Sequence, residues 1–146
     1  MSKRDAQIDQ LAGVALFRGC SKAELRKLAG ITTEMTARTG EVLCREGSAG
    51  SSCYVIIEGE AEVTIAAAAI DTIGPGGFFG EMALLDGGPR VATVTATTDM
   101  RLLVMSRGEF TSLLADVPSV SRKMLEALGH RLRLAREQAH DASIGI

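Results

Sequence analysis

The sequence predicts an α+β domain with its strands in the middle of the chain and helices at both ends. Apolar residues recur at helical spacing before residue 30, alternate or run continuously from Ile31 to Ile73, and return to helical spacing after Ser106. Gly40, Gly47, Gly50 and Gly59 cut the middle into pieces too short for helices. At 146 residues the chain is one domain's worth, able to bury an ordinary core without staples.

The elements follow in order. LAGVALFRGC leads into SKAELRKLAG, where Ser21 and Glu24 have the spacing of a capping box. Leu25 and Leu28 give the helix its apolar stripe, and Gly30 is the expected stop. ITTEMTART, EVLCRE, CYVIIEG and AEVTI then read as short strands, the pattern of a sandwich or small barrel. RVATVTATT and MRLLVMS add two more. Ser106 and Glu109 repeat the capping box before a helix through Phe110, Leu113 and Leu114. Pro118 opens a longer helix with Val120, Met124, Leu128 and Ala135 near one face. The run AAAA at 66–69 stands where AEVTI must turn back, and alanine tolerates positive φ poorly. The tip is expected to be longer and looser than two residues, or the alanines to stand in for other residues. No function attaches to them.

Composition excludes several classes. A hydrophobic fraction of 46% with 23% charged residues is that of a soluble globular protein. No apolar run nears the ~20 residues of a membrane span, and MSKRDAQIDQ has no secretory pattern. Cys20, Cys44 and Cys53 are odd in number without metal-type spacing, which suggests reduced thiols in a cytoplasm. Cys53 alternates with Val55 and Ile57 and reads as core. A formal charge of −2 exerts no global pull on nucleic acid or anionic membrane, so an anion must be held by a local site.

GGFFGEMALLDGGPRVATV, residues 76–94, offers one. Gly80 opens a helical turn whose first amides have no intrahelical partner, with the helix dipole behind them. Gly76, Gly77 and Gly80 permit close approach of the backbone to a ligand. Arg90, after a D-G-G-P turn, supplies a guanidinium able to grip two phosphate oxygens. Glu81 repels phosphate but accepts a hydroxyl hydrogen bond well, and a phosphate beside a sugar hydroxyl is a nucleotide. Each residue also has a structural explanation. A glutamate suits a helix's first turn without a ligand, and Arg90 can pair with Asp86 or Glu81 on a surface.

F-G-E-M-A-L-L at 79–85 followed by P-R-V-A-T-V at 89–94 resembles the phosphate-binding cassette of cyclic-nucleotide-binding domains. Those domains occur in bacterial transcription activators, protein kinase regulatory subunits and nucleotide-gated channels. LFRGCSKAEL, TGEVLCREG and YVIIEGEAEV extend the likeness from about Leu11 to about Arg136. The resemblance implies an eight-stranded β jelly-roll barrel with an N-terminal helical segment, a short phosphate-cassette helix and C-terminal helices. It implies one domain over 1–140: a helical segment 1–30, a barrel 31–106 containing the cassette 76–94, lid helices 107–140, and a tail 141–146.

It further implies that Arg90 binds the cyclic phosphate with the amides of Gly80, Met82 and Ala83, and that Glu81 accepts the ribose 2′-hydroxyl. Phe79 would pack the cassette on the barrel, and Leu84 falls at a hinge. Val63, Val91 and Ala92 complete the binding set, with Val63 and Val91 against the base. Members favouring cGMP often carry threonine or serine after the arginine, whereas this chain has Val91. Thr93, two residues on and facing the same side, is a partial substitute. The expected ligand is therefore cAMP, with cGMP second and no cofactor. Arg131, Leu132 and Leu134 stand where a lid helix would reach the base.

Catalysis finds little support. His130 and His140 lie at or beyond the final helix, away from the strands that would carry metal ligands, and no G-x-S-x-G, H-E-x-x-H or cysteine–histidine pair appears. Relatives that read DNA carry a helix-turn-helix after the long helix, and after Ala139 only HDASIGI remains, so neither nucleic acid nor membrane is an expected partner of these residues. The expected partners are an effector domain, a separate protein, or a second copy through the C-terminal helix. HRLRLAR reads as a solvated face.

Overall fold

The computed structural model describes residues 3–144, with side chains described as far as Glu137. Helix α1 (Lys3–Ala12) passes through a 3-10 turn at Ala15–Phe17 into α2 (Lys22–Ile31). Both halves of the first capping box form: Ser21 Oγ accepts the Glu24 amide at 3.1 Å, and Glu24 Oε1 accepts the Ser21 amide at 2.9 Å. The helix runs through Gly30, which does not take the left-handed conformation of a stop. Termination comes at extended Thr32, whose hydroxyl donates to Leu28 O at 2.8 Å.

Eight strands follow: β1 (Thr33–Ala37), β2 (Val42–Cys44), β3 (Ser52–Glu58), β4 (Ala61–Ile65), β5 (Ala68–Ile73), β6 (Phe78–Phe79), β7 (Thr93–Ala96) and β8 (Met100–Ser106). They pair antiparallel in two four-stranded sheets, β1-β8-β3-β6 and β2-β7-β4-β5, which form a jelly roll. Between β6 and β7 lies helix α3 (Glu81–Asp86).

The continuous apolar runs in β3 and β8 have a physical cause: their sheet is covered on both faces. Ile56, Met100 and Leu102 point into the core shared with the other sheet, beside Val63, Phe79 and Val94. Cys53, Val55, Leu103 and Met105 point the opposite way, into a second core with Leu11, Phe17 and Leu28 of the N-terminal segment. Helices α4 (Arg107–Asp116) and α5 (Pro118–Ile144) close that second core with Phe110, Leu113, Val120 and Met124. The Ser106–Glu109 capping box starts α4 as expected.

Two further expectations change. The β4–β5 tip is a two-residue turn, with Ala66 and Ala67 both left-handed at φ 51° and 65°, because Ile65 pairs directly with Ala68. Helix α5 continues through the residues expected as a tail, to Ile144; residues 145–146 lie outside those described. No described helix is long and apolar enough to cross a membrane.

Candidate functional site

The cassette packs where the two cores meet. Glycine is required at position 80, since the turn from β6 into α3 has φ 87° there, and a Cβ would stand 2.7 Å from Arg90 Nη1. Leu84 faces the helical core, while Ala83 faces a cavity of about 290 Å³ between the cassette, the β2-β7-β4-β5 sheet and α5. Phe79 is buried between barrel and cassette, its ring stacked on Tyr54 at 4.9 Å.

Arg90 enters from a loop pinned by main-chain bonds. Its amide donates to Ser48 O at 2.8 Å, and its carbonyl accepts the Gly47 amide at 2.8 Å. The guanidinium is nearly buried and donates from Nη1 to Gly80 O at 2.8 Å. Among the described residues it pairs with neither Asp86 nor Glu81, so its charge is uncommitted to a carboxylate. Gly50 makes room for it: a Cβ there would lie 2.7 Å from Arg90 Nε and 2.8 Å from the Ala83 Cβ. In the sequence Gly50 stands out only as a turn marker, and nothing local signals its approach to Arg90.

Glu81 is 3% exposed, and burial pushes its carboxyl above the ordinary carboxylate value, with Arg131 and Arg90 opposing the shift. Its Oε1 accepts from Arg131 Nη1 at 3.0 Å. Its Oε2 is buried without a hydrogen-bond partner. Unmade bonds of this kind are costly and call for an explanation such as a ligand donor.

All of Gly80, Glu81, Met82, Ala83, Arg90, Val91, Ala92 and Val63 line the one cavity. Arg131 and Leu134 reach it from α5; Leu132 does not, standing 71% exposed on the outer face. Arg131 also donates from Nη2 to Phe78 O at 2.7 Å and lies 4.5 Å over the Phe78 ring. Thr93 faces away from the role expected of it: its hydroxyl accepts the Glu46 amide at 3.0 Å, and it is outside the cavity lining.

Further lining residues carried no sequence signal beyond strand periodicity: Cys44, Ile70, Asp71, Ile73 and Val94. Burial pushes the Cys44 thiol up, and it pushes the Cys53 thiol up to about 12. Both are therefore protonated packing groups. No cluster of His, Cys, Asp and Glu among the described residues could hold a metal. Arg107 was also missed. From the first turn of α4 it donates Nη1 to Leu84 O at 2.9 Å and Nη2 to Ala83 O at 3.4 Å, carbonyls near the C-terminal end of α3.

The family model described as "Cyclic nucleotide-binding domain" matches residues 34–117, from β1 through α4. The chain is 36% identical over 111 residues to a cyclic nucleotide-gated potassium channel of Mesorhizobium japonicum, covering 76% of this chain and 31% of the channel. It is 29% identical over 136 residues to a CRP-like cAMP-activated global transcriptional regulator of Mycobacterium tuberculosis, covering 90% of this chain and 61% of the regulator. The structure of cAMP-bound PfPKA-R superposes with a TM-score of 0.76 at 27% identity, covering 91% of this chain and 47% of that one. The chain thus spans less than two thirds of each.

Proposed function

The chain belongs to the cyclic nucleotide-binding domain family, and from that membership we propose that it is a non-catalytic cytoplasmic sensor of cAMP. The observation that carries the reading is the unpartnered Oε2 of buried Glu81, in the same cavity as an arginine whose charge meets no carboxylate. The first is a hydroxyl acceptor and the second a phosphate grip. A ribose 2′-hydroxyl beside a cyclic phosphate satisfies both. Met82 and Ala83 bring the first-turn amides of α3 to the phosphate, and Val63, Val91 and Ala92 face the base. Val91 offers the base no hydrogen bond, which favours adenine over guanine. Arg131 and Leu134 form the lid.

The output follows from the same contacts. Phosphate bound at Arg90 would draw its guanidinium from Gly80 O and shift α3, moving Leu84 in the core it shares with α4 and α5. Such a shift needs a ligand that interacts differently with the two arrangements, and lid contacts made only in one of them supply that difference. An effector domain or partner protein reads the helices.

Calorimetric titration with cAMP and cGMP, alongside Arg90→Ala, tests the reading. Tight cAMP binding that weakens by ~2–5 kcal/mol in the variant is expected. Absence of heat with either nucleotide, in protein free of carried-over ligand, would replace the sensor by an interaction module or a receptor for another anion.

A further inference from the structure

Among the described residues four charged ones line the cavity, and three of them already have work to do: Glu81, Arg90 and Arg131. The fourth is Asp71. It lies directly opposite Val63 in the β4–β5 register, and opposed residues of an antiparallel pair project from the same face. Val63 lines the cavity and so does Asp71. A register shift between the Val63–Asp71 and Thr64–Ala69 pairs inserts Ile70, which joins the same wall. The wall is otherwise apolar, with Val63, Ile70 and Ile73 around one carboxylate. That carboxylate is exposed, its Oδ1 accepts the adjacent Thr72 amide at 2.8 Å, and no cation among the described residues pairs with it.

A ligand gripped at Arg90 and Glu81 presents its phosphate and ribose there, so its base extends to the apolar wall. On the N7 edge of a purine, away from the N1–H and 2-amine donors of guanine, the group that differs between the two bases is the 6-substituent. In adenine this is an amine, a hydrogen-bond donor; in guanine it is a carbonyl, an acceptor. An ionised carboxylate only accepts. We propose that Asp71 is a specificity-determining residue that reads the 6-position, accepting the adenine N6 amine and repelling the guanine O6. The inference rests on the cAMP reading above and adds the residue that enforces it. A charge on an edge strand such as β5 also discourages sheet extension. That role is indifferent to the base, and the test is built on the difference.

Affinities of wild type, Asp71→Ala and Asp71→Asn are measured for cAMP, cGMP and the cyclic nucleotide of unsubstituted purine, which has no group at position 6. In Asp71→Ala, cAMP weakens about 3- to 10-fold, the unsubstituted analogue is unchanged, and cGMP holds or tightens. Asp71→Asn, whose amide donates as well as accepts, narrows the preference for cAMP over cGMP. The cycle between residue and amine isolates the contact from any general effect on folding. Equal changes for all three ligands, or none, overturn the role of Asp71 while leaving the sensor intact. If no cyclic nucleotide binds the wild type, the sensor reading falls and this one with it.

Discussion

Arg131 on α5 donates to one oxygen of Glu81 at 3.0 Å, while the other oxygen of that buried carboxylate has no partner. Helix α5 and the cassette are therefore joined through the group proposed to bind the ribose. Arg131→Ala removes the charge that partly offsets the burial of Glu81, as well as the bond to Phe78 O. Breaking fully buried pairs costs about 3–5 kcal/mol, but Arg131 is partly exposed, so a loss of about 1–2 kcal/mol is expected in denaturant unfolding. Hydrogen exchange over residues 120–136 should quicken in the variant. In the wild type it should slow when cAMP is added, and equal protection with and without ligand would remove the lid from the mechanism.

Glu81 also gives stability a pH dependence of known sign. Burial raises its folded pKa above the unfolded value, so between the two the folded chain holds a proton that the unfolded chain has lost. Stability from this group is greatest below the unfolded pKa and falls as pH rises through the folded one. Glu81→Gln keeps the shape and removes the titration. Its melting temperature should match or exceed that of wild type near neutrality, with the gap closing on acidification. Its affinity for cAMP should nonetheless fall, because the amide is a poorer hydroxyl acceptor than the carboxylate.

Glycines 50 and 129 make an opposed pair. Gly50→Ala forces its methyl group against Ala83 and the Arg90 guanidinium, and overpacking of this kind costs about 1–3 kcal/mol. Phosphate-dependent affinity should drop with it, since Arg90 must move. Gly129 lies in α5 with open space around its would-be Cβ. Gly129→Ala should stabilise by about 0.5–1 kcal/mol without altering binding, as chemical denaturation and titration together would show.

The tip of the β4–β5 hairpin holds two left-handed alanines, each carrying about 1–2 kcal/mol of backbone strain. Replacing Ala66→Asn and Ala67→Gly gives the turn the residues its geometry favours. A rise of about 1–2 kcal/mol in unfolding free energy is expected, with nucleotide affinity unchanged.

What the sequence revealed and what it hid divide along physical lines. Capping boxes, strand runs and the F-G-E-M-A-L-L stretch are local patterns: the boxes form at residues 21–24 and 106–109, the runs form strands, and the stretch leads through Gly80 into α3. The core role of Cys53 was legible too, in its alternation with Val55 and Ile57 along β3. Gly50 and Arg107 were not, because each meets residues distant in sequence, Gly50 at Arg90 and Arg107 at α3, and the place of Asp71 on the cavity wall needed the β4–β5 register. Leu132 was expected near the base with Arg131 and Leu134, since no local pattern chooses among them. One residue is 100° around a helix, and it faces outward. The alanine tip misled for a different reason, since strand register overrode the local preference against positive φ.

Arg107 holds α3 by the carbonyls of Ala83 and Leu84 from the first turn of α4, and a fastening transmits load in both directions. If nucleotide repositions α4 and α5, then any partner that grips those helices in the repositioned state must tighten nucleotide binding by the same factor. The concentration of nucleotide at which the chain responds is then not a constant of the chain. It falls as that partner becomes abundant, so one sequence serves different thresholds according to the company it keeps.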